Sequence, residues 1–268
     1  MNILVCAKQV PNTKNVTTDP ETGRINREGV ESILNPDDAN ALEAALQIKD
    51  KDPENVKVTV ISMGPDQAKD MLIECLAMGA DDAILLSDRK FGGSDTWATS
   101  NAIAAGMAKF NKERGGFDLI LGGRQAIDGD TAQVGPQIAE KLGVPQVTYA
   151  QKIDIDGKKI TVDRQLEDGY ETIEINMPCM ITCVKELNTP RYMNVGRIYD
   201  AYEQPERIVT WGFDDVDIAE DETGLKPSPT NVFTSFAPAP KGAGRKLEGT
   251  DQEMVTELMK ELQEKHYI

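Results

Sequence analysis

Apolar and polar positions along the first 145 residues follow a pattern that predicts strands joined by helices. Short apolar or β-branched runs are each followed by a longer segment in which apolar residues recur every three or four positions. Such alternation builds a parallel sheet with helices on both faces, because crossovers between parallel strands are right-handed. We therefore predict an α/β fold with a doubly wound, mostly parallel sheet. Its first four strands are expected at residues 2–7, 56–62, 83–86 and 117–121.

The pattern changes after residue 145. Alternating runs at 147–154 and 159–164 flank the turn dipeptide Asp156-Gly157, which predicts an antiparallel hairpin. Two further strands are expected at 171–175 and 179–185.

The last eighty residues carry weaker signals. Residues 188–250 show no periodicity that predicts a core of their own, so we expect an extended arm there. An amphipathic helix is then predicted over 250–265 from the spacing of Val255, Leu258 and Leu262. We therefore divide the chain into an α/β domain at 1–187 with its antiparallel part at 146–187, an arm at 188–250 and a C-terminal helix at 251–268.

Residues 117–142 combine a buried strand, two glycines, a polar loop and a helix. Asp130 is predicted to be the N-cap of that helix, with Gln133 completing a D-x-x-Q capping box. This layout presents backbone N–H groups to an anion such as a phosphate. An ordinary strand-to-helix turn is the alternative. The arginine and two aspartates in the loop, and Gly135-Pro136 near the helix start, break local rules in the way that functional sites often do.

A second helix start lies at residues 35–46. Asn35 fits the N-cap position and Pro36 the first helical position, with Asp37 and Asp38 in the first turn. A well-built helix start accounts for all four residues. The functional alternative is that Asn35 lies at the same end of the sheet as the end of strand one, where parallel sheets bind ligands.

A third helix start, Gly93-Ser94-Asp95-Thr96, is similar to Gly129-Asp130-Thr131. Aligning Asp95 with Asp130 also aligns apolar positions in the two helices that follow. We interpret the two segments as strand–helix units of similar build.

Charge and cysteine content exclude several classes of protein. A net charge of −16 disfavours nucleic acids and anionic membranes as partners, since both attract clustered Lys and Arg. No apolar run reaches the ~18–20 residues of a membrane-spanning helix, and the N-terminus lacks the features of a signal peptide. None of the four cysteines forms C-x-x-C. Reduced thiols, a cytoplasmic location and no membrane insertion are therefore expected.

The chain contains one histidine, His266, near the C-terminal end. A Ser-His or Cys-His catalytic group and a zinc site of the usual kind are therefore not expected. We predict no catalytic side chain and no metal. Any chemistry is expected to come from a cofactor that the protein positions.

Several segments together resemble the small (beta) subunit of electron-transfer flavoproteins. The segment at 162–182 is similar to the family's signature, with a basic residue, acidic and glycine positions, and a proline before an apolar pair. NTPRYMNVGRI (188–198) resembles the family's partner-docking segment. The other similar segments are LVCAKQVP (4–11), LNPDDANALEAAL (34–46), CLAMGADD (75–82) and GRQAIDGDTAQVGPQ (123–137).

The resemblance implies a nucleotide-binding α/β domain at 1–187, similar to adenine nucleotide alpha hydrolases, that pairs with a larger alpha subunit holding FAD. Ordinary beta subunits of the family hold AMP as a structural ligand. A subset instead holds a second FAD that takes hydride from NADH, and FGGSDTWATS (91–100) and AIDGDTAQVGP (126–136) resemble that subset.

The function implied by that subset is electron bifurcation. One electron would pass to the alpha-subunit FAD and on to a flavin dehydrogenase of the acyl-CoA or lactate type. The other would pass to ferredoxin or flavodoxin. Two alternatives stay open: an AMP-holding subunit without bifurcation, and a free-standing adenine-nucleotide-binding α/β protein, which the arm at 188–250 disfavours.

The resemblance also implies individual site residues. Backbone N–H groups at 126–132 would hold phosphates, and Arg124 would offset charge or stack near the flavin. Asp95 and Thr96 are expected near the isoalloxazine ring. Partner docking is expected at Arg191, Tyr192, Val195 and Ile198, where Val195 replaces the leucine of most members. The remaining cofactor-binding residues are Cys6, Asn35, Pro36, Asp37, Asp38, Met63, Gly123, Gln125, Ala126, Ile127, Asp128, Gly129, Asp130, Thr131, Ala132, Gln133 and Val134.

Overall fold

A computed structural model describes residues 1–12, 17–18, 25–26, 31–231, 233 and 242–268. Six helices occur in these ranges: α1 (Pro36–Lys51), α2 (Ala68–Met78), α3 (Thr96–Arg114), α4 (Val134–Leu142), α5 (Val195–Glu203) and α6 (Asp251–Glu264). The described strands are β1 (Asn2–Cys6), β2 (Gln9–Pro11), β3 (Thr17–Thr18), β4 (Ile25–Asn26), β5 (Ser32–Leu34), β6 (Lys57–Met63), β7 (Asp82–Leu86), β8 (Leu119–Gly123), β9 (Gln146–Asp156), β10 (Lys159–Gln165), β11 (Tyr170–Asn176), β12 (Cys179–Cys183) and β13 (Ile208–Trp211).

Nine of the described strands form one sheet, in the order β11-β10-β9-β12-β8-β1-β6-β7-β13. Neighbours from β9 to β13 pair in parallel, whereas β10 pairs antiparallel with both β9 and β11. The prediction of a mostly parallel α/β sheet with added antiparallel strands is confirmed.

Alternation along the central strand separates two hydrophobic cores. Ile3 and Val5 of β1 point to the face covered by α1 and α2. Leu4 points to the other face, which α3 and α4 cover. Successive side chains of a strand point to opposite faces, so one five-residue strand serves both cores. The doubly wound arrangement is thereby confirmed.

The hairpin predicted around Asp156-Gly157 is present as β9 and β10, and Gly157 has a positive φ of 59° that suits the turn. The last of the strands expected after it, β12, pairs in parallel with β8 on one side and β9 on the other. Strand β12 therefore lies between β8 of the parallel region and β9, which begins the antiparallel region.

The segment from 188 to 231 is more regular than the sequence predicted. It contains helix α5, which packs on α2, and strand β13, which pairs in parallel with β7 from Ile208↔Ala83 to Trp211↔Leu86. The expectation of an irregular segment was wrong here, because nine helical residues and four strand residues are too short to show a clear period. Residues 232 and 234–241 of the expected arm lie outside the described residues.

Contacts divide the chain into two units. The first comprises Met1–Thr17 and Asn26–Phe233 and contains the nine-stranded sheet. The second comprises Thr18–Ile25 and Thr234–Ile268. It contains α6, whose N-cap Thr250 forms a capping box with Glu253. The helix predicted over 250–265 is therefore confirmed.

None of the helices in the described ranges combines the length and hydropathy that a membrane-spanning helix needs.

Candidate functional site

A cavity of about 950 Å³ opens at the carboxyl ends of β1, β6, β7 and β8. This is the edge of a parallel sheet at which ligands bind, because the strand-to-helix loops all end there. Its deep wall is apolar and includes Ile61, Phe91, Ile138 and Met180, all buried in the core behind the cavity. Such a wall suits a flat aromatic ring.

Residues 123–126, 129 and 131–135 form another part of the cavity wall. Asp130 and Ala132 have positive φ values of 54° and 53°, a backbone conformation that favours glycine. The backbone N–H groups of residues 131–135 donate to no acceptor in the part of the chain that the structure describes. The residue that follows them, Pro136, has no N–H group. Several of these N–H groups belong to residues that line the cavity at the start of α4. This arrangement suits an anion such as a phosphate.

The predicted capping box at Asp130 was wrong. Helix α4 starts at Val134, its N-cap is Gln133, and no side chain caps it. Asp130 instead accepts a hydrogen bond from the Gln125 side chain. Pro136 falls in the first turn, where an N–H would have no partner within the helix, so it costs the helix little.

Gly135 has a packing role as well as a place in the cavity wall. A Cβ atom at this position would lie 2.6 Å from Cγ2 of Thr182 and 3.2 Å from Cε of Met180. Glycine therefore lets α4 approach β12 closely.

Asn35 joins helix α1 to the cavity loop. It is the N-cap residue of α1, as predicted, but its side chain makes no capping bond. Its Nδ2 atom donates to the carbonyl oxygen of Gln125 at 2.8 Å, and its Oδ1 atom accepts from the N–H of Ile127 at 3.1 Å. Asn35 therefore lies at the same end of the sheet as the end of β1, and its buried amide holds the cavity loop in place.

Asp38 joins the ends of two strands. One carboxylate oxygen accepts from the N–H of Lys8 and the other from the N–H of Gly123, both at 2.9 Å. Burial raises the pKa of Asp38 to about 7, although these N–H groups favour the charged form. The carboxylate therefore lies inside the cavity wall and titrates near neutral pH.

Gly123 permits this contact. A Cβ atom there would overlap Oδ1 of Asp38 and lie 2.6 Å from the carbonyl carbon of Asp37. Only a residue without a side chain lets the end of β8 meet the first turn of α1.

Arg124 and Asp37 form a partly buried ion pair beside the cavity. Nε of Arg124 lies 3.4 Å from Oδ2 of Asp37, and neither atom makes a hydrogen bond with the described residues. Burial raises the pKa of Asp37, while the charge of Arg124 lowers it. Arg124 lines the cavity and retains a buried N–H group with no acceptor.

Lys8 adds a cation at the rim. Its Nζ atom lies 2.7 and 2.9 Å from the two carboxylate oxygens of Asp128. Neither Asp128 nor Asp130 is among the residues that line the cavity. Neither carboxylate therefore faces an anion that would bind in the cavity, where it would repel that anion.

Asp95 and Thr96 differ in position. Asp95 caps helix α3 by accepting from the N–H of Ala98 at 3.0 Å, and its second oxygen accepts from Thr230. Thr96 lines the cavity, and its hydroxyl donates to Oε1 of Gln133 at 3.0 Å. The similarity between Asp95 and Asp130 is therefore one of sequence only, because Asp95 caps a helix and Asp130 does not.

The cavity brings together thirteen of the residues that the sequence suggested for cofactor binding. The others in that set do not line it: Asn35, Pro36, Asp37, Asp95, Ile127, Asp128 and Asp130. Those that line it are Cys6, Asp38, Met63, Thr96, Gly123, Arg124, Gln125, Ala126, Gly129, Thr131, Ala132, Gln133 and Val134.

Sequence reasoning missed most of the deep apolar wall, including Ile61, Ile138 and Met180, and three polar parts of the lining. The polar parts are Lys8, the turn at 64–66 and most of the loop after β7 at 87–94. One signal was available for the loop, because every strand of a parallel sheet ends at the same edge, strand three included.

The cysteines are not activated nucleophiles. Burial raises the pKa of the Cys6 thiol, which lines the cavity, and the charge of Asp38 raises it further. Burial also raises the pKa of Cys179 to about 11. A thiol that holds its proton at neutral pH is a poor nucleophile.

The residues expected to dock a partner lie on and before helix α5. Tyr192 is 98 % exposed and Val195 is 76 % exposed. Ile198 is half-buried, and the Arg191 guanidinium faces helix α1 of its own chain. The fold and the site thus define a doubly wound α/β protein with a cavity at the carboxyl ends of its parallel strands and an exposed apolar segment on and before α5.

Comparison with known proteins identifies the family. The model of the electron transfer flavoprotein domain matches residues 22–207. The chain is 60 % identical over 269 residues to the caffeyl-CoA reductase-Etf complex subunit CarD of Acetobacterium woodii, with 100 % of each chain covered. It is 51 % identical over 268 residues to the electron transfer flavoprotein subunit beta of Clostridium acetobutylicum, again with 100 % of each covered.

A third relative is the acryloyl-CoA reductase electron transfer subunit gamma of Anaerotignum propionicum, which is 48 % identical over 271 residues with 100 % of each chain covered. The chain belongs to the electron transfer flavoprotein family and is a subunit of the beta type.

Proposed function

We propose that this chain is the beta subunit of a bifurcating electron transfer flavoprotein and binds FAD in the cavity at the carboxyl ends of its parallel strands. The observation that carries the proposal is the two-part character of that cavity. One part of the lining offers free backbone N–H groups and Arg124 to a diphosphate, and another part offers apolar side chains to a ring system.

Cavity size favours a dinucleotide over a mononucleotide. Small-molecule sites span about 300–1,000 Å³, and the volume here, about 950 Å³, lies near the upper end. AMP would need the N–H groups of the 123–135 loop and a place for one base. The apolar wall formed by Ile61, Phe91 and Met180 gives FAD a second ring-binding surface.

The chain's own residues bind and position the cofactor. Asn35 holds the loop at Gln125 and Ile127, and Asp38 holds the ends of β1 and β8 together. When bound, FAD would accept a hydride from NADH and release its two electrons one at a time. No side chain has to act as a general acid or base, and the Cys6 thiol keeps its proton.

The partners proposed for the chain are an electron transfer flavoprotein alpha subunit, a flavin dehydrogenase and a low-potential acceptor, ferredoxin or flavodoxin. The names of two relatives contain caffeyl-CoA reductase and acryloyl-CoA reductase, which supports a dehydrogenase of the acyl-CoA type over the lactate type. We propose that the dehydrogenase docks on Tyr192, Val195 and the exposed side of α5. We propose the cytoplasm as the location of the complex.

Nucleotide content tests the cofactor. The chain is purified with its alpha subunit, denatured in acid, and the released nucleotides are separated and counted. Two FAD per heterodimer with little AMP supports the proposal. An Asn35→Ala heterodimer serves as the matched variant, and loss of one FAD with retention of the other assigns the lost FAD to this cavity.

An AMP-holding subunit is the second candidate. It is favoured by the free backbone N–H groups of residues 131–135, which would suffice for the phosphate of a mononucleotide. One FAD and one AMP per heterodimer would establish it and would refute bifurcation at this subunit.

A further inference from the structure

An exposed apolar stripe runs along helix α5 and the residue pair before it. Val195, Tyr199 and Tyr202 recur at positions i, i+4 and i+7, so they share one face of the helix, and each is at least 65 % exposed. Tyr192 and Met193 continue this surface toward the N-terminus. The opposite side of the helix carries the buried Ala201, which packs in the core. We call these five exposed residues the α5 face.

The segment that leads into the α5 face, residues 188–194, forms neither helix nor strand. A segment of this kind has no backbone ladder to fix it. Its position therefore depends on contacts with other parts of the chain.

Arg191 provides the strongest of these contacts. Its Nε and Nη2 atoms donate to the two carboxylate oxygens of Glu43 at 2.7 and 3.1 Å, and its backbone N–H also donates to Glu43. Nη2 lies 2.7 Å from Oδ2 of Asp50. Glu43 is only 4 % exposed, whereas Asp50 is exposed. The forked guanidinium matches the carboxylate in the two-bond geometry that only arginine offers.

Two further contacts fix the ends of the segment. Asn188 and Asn40 exchange side-chain hydrogen bonds: Nδ2 of Asn40 donates to the Asn188 carbonyl at 2.8 Å, and Nδ2 of Asn188 donates to the Asn40 carbonyl at 2.9 Å. At the other end, the N–H of Asn194 donates to the carbonyl of Ala77 in α2 at 3.0 Å. The segment is thus bonded to α1 at Asn188 and Arg191 and to α2 at Asn194.

This geometry gives Arg191 a task different from touching a partner. Its guanidinium points at α1 and is occupied by two carboxylates, while its neighbour Tyr192 is almost fully exposed. We infer that Arg191 and Glu43 are positioning residues for dehydrogenase docking, because their ion pair holds the α5 face in one orientation. The inference rests on the docking face assigned in the proposed function.

Steady-state kinetics of the complete heterodimer test this inference. The second substrate is a purified acyl-CoA dehydrogenase that exchanges electrons with the wild-type heterodimer, and KM for the heterodimer is separated from kcat. Arg191→Ala is expected to raise KM at least tenfold with a much smaller change in kcat. Arg191→Lys keeps the charge but loses the fork, so an intermediate KM is expected. Glu43→Gln should raise KM in the same direction as Arg191→Ala.

Hydrogen–deuterium exchange supplies a readout that loss of a direct contact would not change. Exchange of the amides of residues 192–203 should speed up in Arg191→Ala, in the free heterodimer. Lys185→Ala removes one nearby positive charge from an exposed side chain and is the control for charge. Asp50→Asn removes the exposed carboxylate partner of Arg191 and keeps the buried one, so a smaller rise in KM than that of Glu43→Gln is expected. The Lys185→Ala control should leave KM within about twofold of wild type.

Val195→Glu separates the inference from the docking proposal. If Val195→Glu raises KM but Arg191→Ala and Glu43→Gln leave KM and amide exchange unchanged, the positioning role is refuted and the docking face stands. If Val195→Glu leaves KM unchanged, the docking face is refuted and the positioning role falls with it. Retention of flavin by each heterodimer confirms that assembly is intact.

Discussion

The side chain of Asn35 lies 2.8 Å from the carbonyl oxygen of Gln125, which is 90 residues further along the chain. The Oδ1 atom of the same amide accepts a hydrogen bond from the N–H of Ile127. The Asn35 side chain therefore links the start of helix α1 to the cavity loop through two hydrogen bonds, as a paired backbone segment would. An N-cap residue usually satisfies the N–H groups of its own helix. Here the side chain instead satisfies one carbonyl oxygen and one N–H group of a loop.

Asn35→Ala should therefore weaken nucleotide binding more than it weakens helix α1. Loss of the amide leaves a partly buried carbonyl and a partly buried N–H group without this partner, and each such loss costs up to about 1–3 kcal/mol. We expect the free energy of unfolding to fall by a few kcal/mol and the cofactor to dissociate at least tenfold faster. Urea denaturation and flavin release measure the two effects.

Asn35→Asp is the companion variant. It keeps the acceptor for Ile127 but loses the donor for Gln125 and adds a charge beside Asp38. Retention of wild-type cofactor affinity in both variants would contradict the role given to Asn35.

Gly123→Ala should destabilise the protein, whereas Gly129→Ala should not. An added Cβ at Gly123 would meet the carbonyl carbon and N atom of α1 at 2.6 and 2.7 Å. At Gly129 it would meet no atom within 4 Å. We expect Gly123→Ala to cost about 1–3 kcal/mol, as overpacking does, and the thermal midpoint to fall by several degrees. Equal midpoints for the two variants would show that α1 and β8 separate without cost.

Asp38 should give the protein a pH-dependent stability near neutrality. Its pKa is raised from 3.8 to about 7 in the folded state, so the folded state holds this proton more tightly than the unfolded state. The resulting stability is fully present below about pH 4 and is lost as the pH rises through 7. Asp38→Asn is the reference variant, because its amide is neutral at every pH. One amide group, the NH2, would then face a backbone N–H that Asp38 accepts with a carboxylate oxygen.

The measurement is urea denaturation of wild type and Asp38→Asn from pH 5 to pH 8. Relative to the variant, wild-type stability should fall by about 1.4 kcal/mol per pH unit up to pH 7 and then level off. Comparison with the variant cancels groups that titrate elsewhere, such as Asp50, whose pKa the Arg191 side chain lowers. A difference that stays constant over this range would place the pKa of Asp38 outside it.

Truncation at two positions tests what strand β13 contributes to the stability of the sheet. A chain that ends at residue 204 lacks strand β13 and the buried Trp211, so it leaves the edge of β7 unpaired. We expect its thermal midpoint to fall by ten degrees or more, or the chain to be insoluble, since unpaired edges promote aggregation. A chain that ends at Phe233 keeps the sheet and should keep its midpoint within a few degrees. Similar midpoints for the two truncations would show that β13 adds nothing to the sheet.

Much of the fold follows from local pattern. Strands β1, β6, β7 and β8 are short apolar runs with turn residues on both sides, and α1 has a strong start at Asn35-Pro36. Their existence is a matter of hydrophobic period, which a sequence shows directly. Strand β13 lacks this signal, because four residues at a sheet edge are selected by pairing with β7 rather than by a period of their own.

The site was predictable in outline but not in detail. The D-x-x-Q pattern at Asp130 matches a capping box, yet the backbone at Asp130 turns left-handed and the helix starts four residues later. The pairing of Asn35 with Gln125 depends on two distant segments meeting, which no local pattern contains. The start of α4 and the contact between Asn35 and Gln125 therefore both depend on tertiary packing rather than on local helix propensity.

The parallel pairing of β7 with β13 has a consequence for the order in which the protein is made. A ribosome completes β1, β6 and β7 more than a hundred residues before Ile208 and Trp211 emerge. Until then the growing chain presents the β7 edge without its partner strand, and contacts so distant in sequence also slow folding. The nascent domain can therefore complete its nine-stranded sheet only after the α5 segment and β13 have been synthesised.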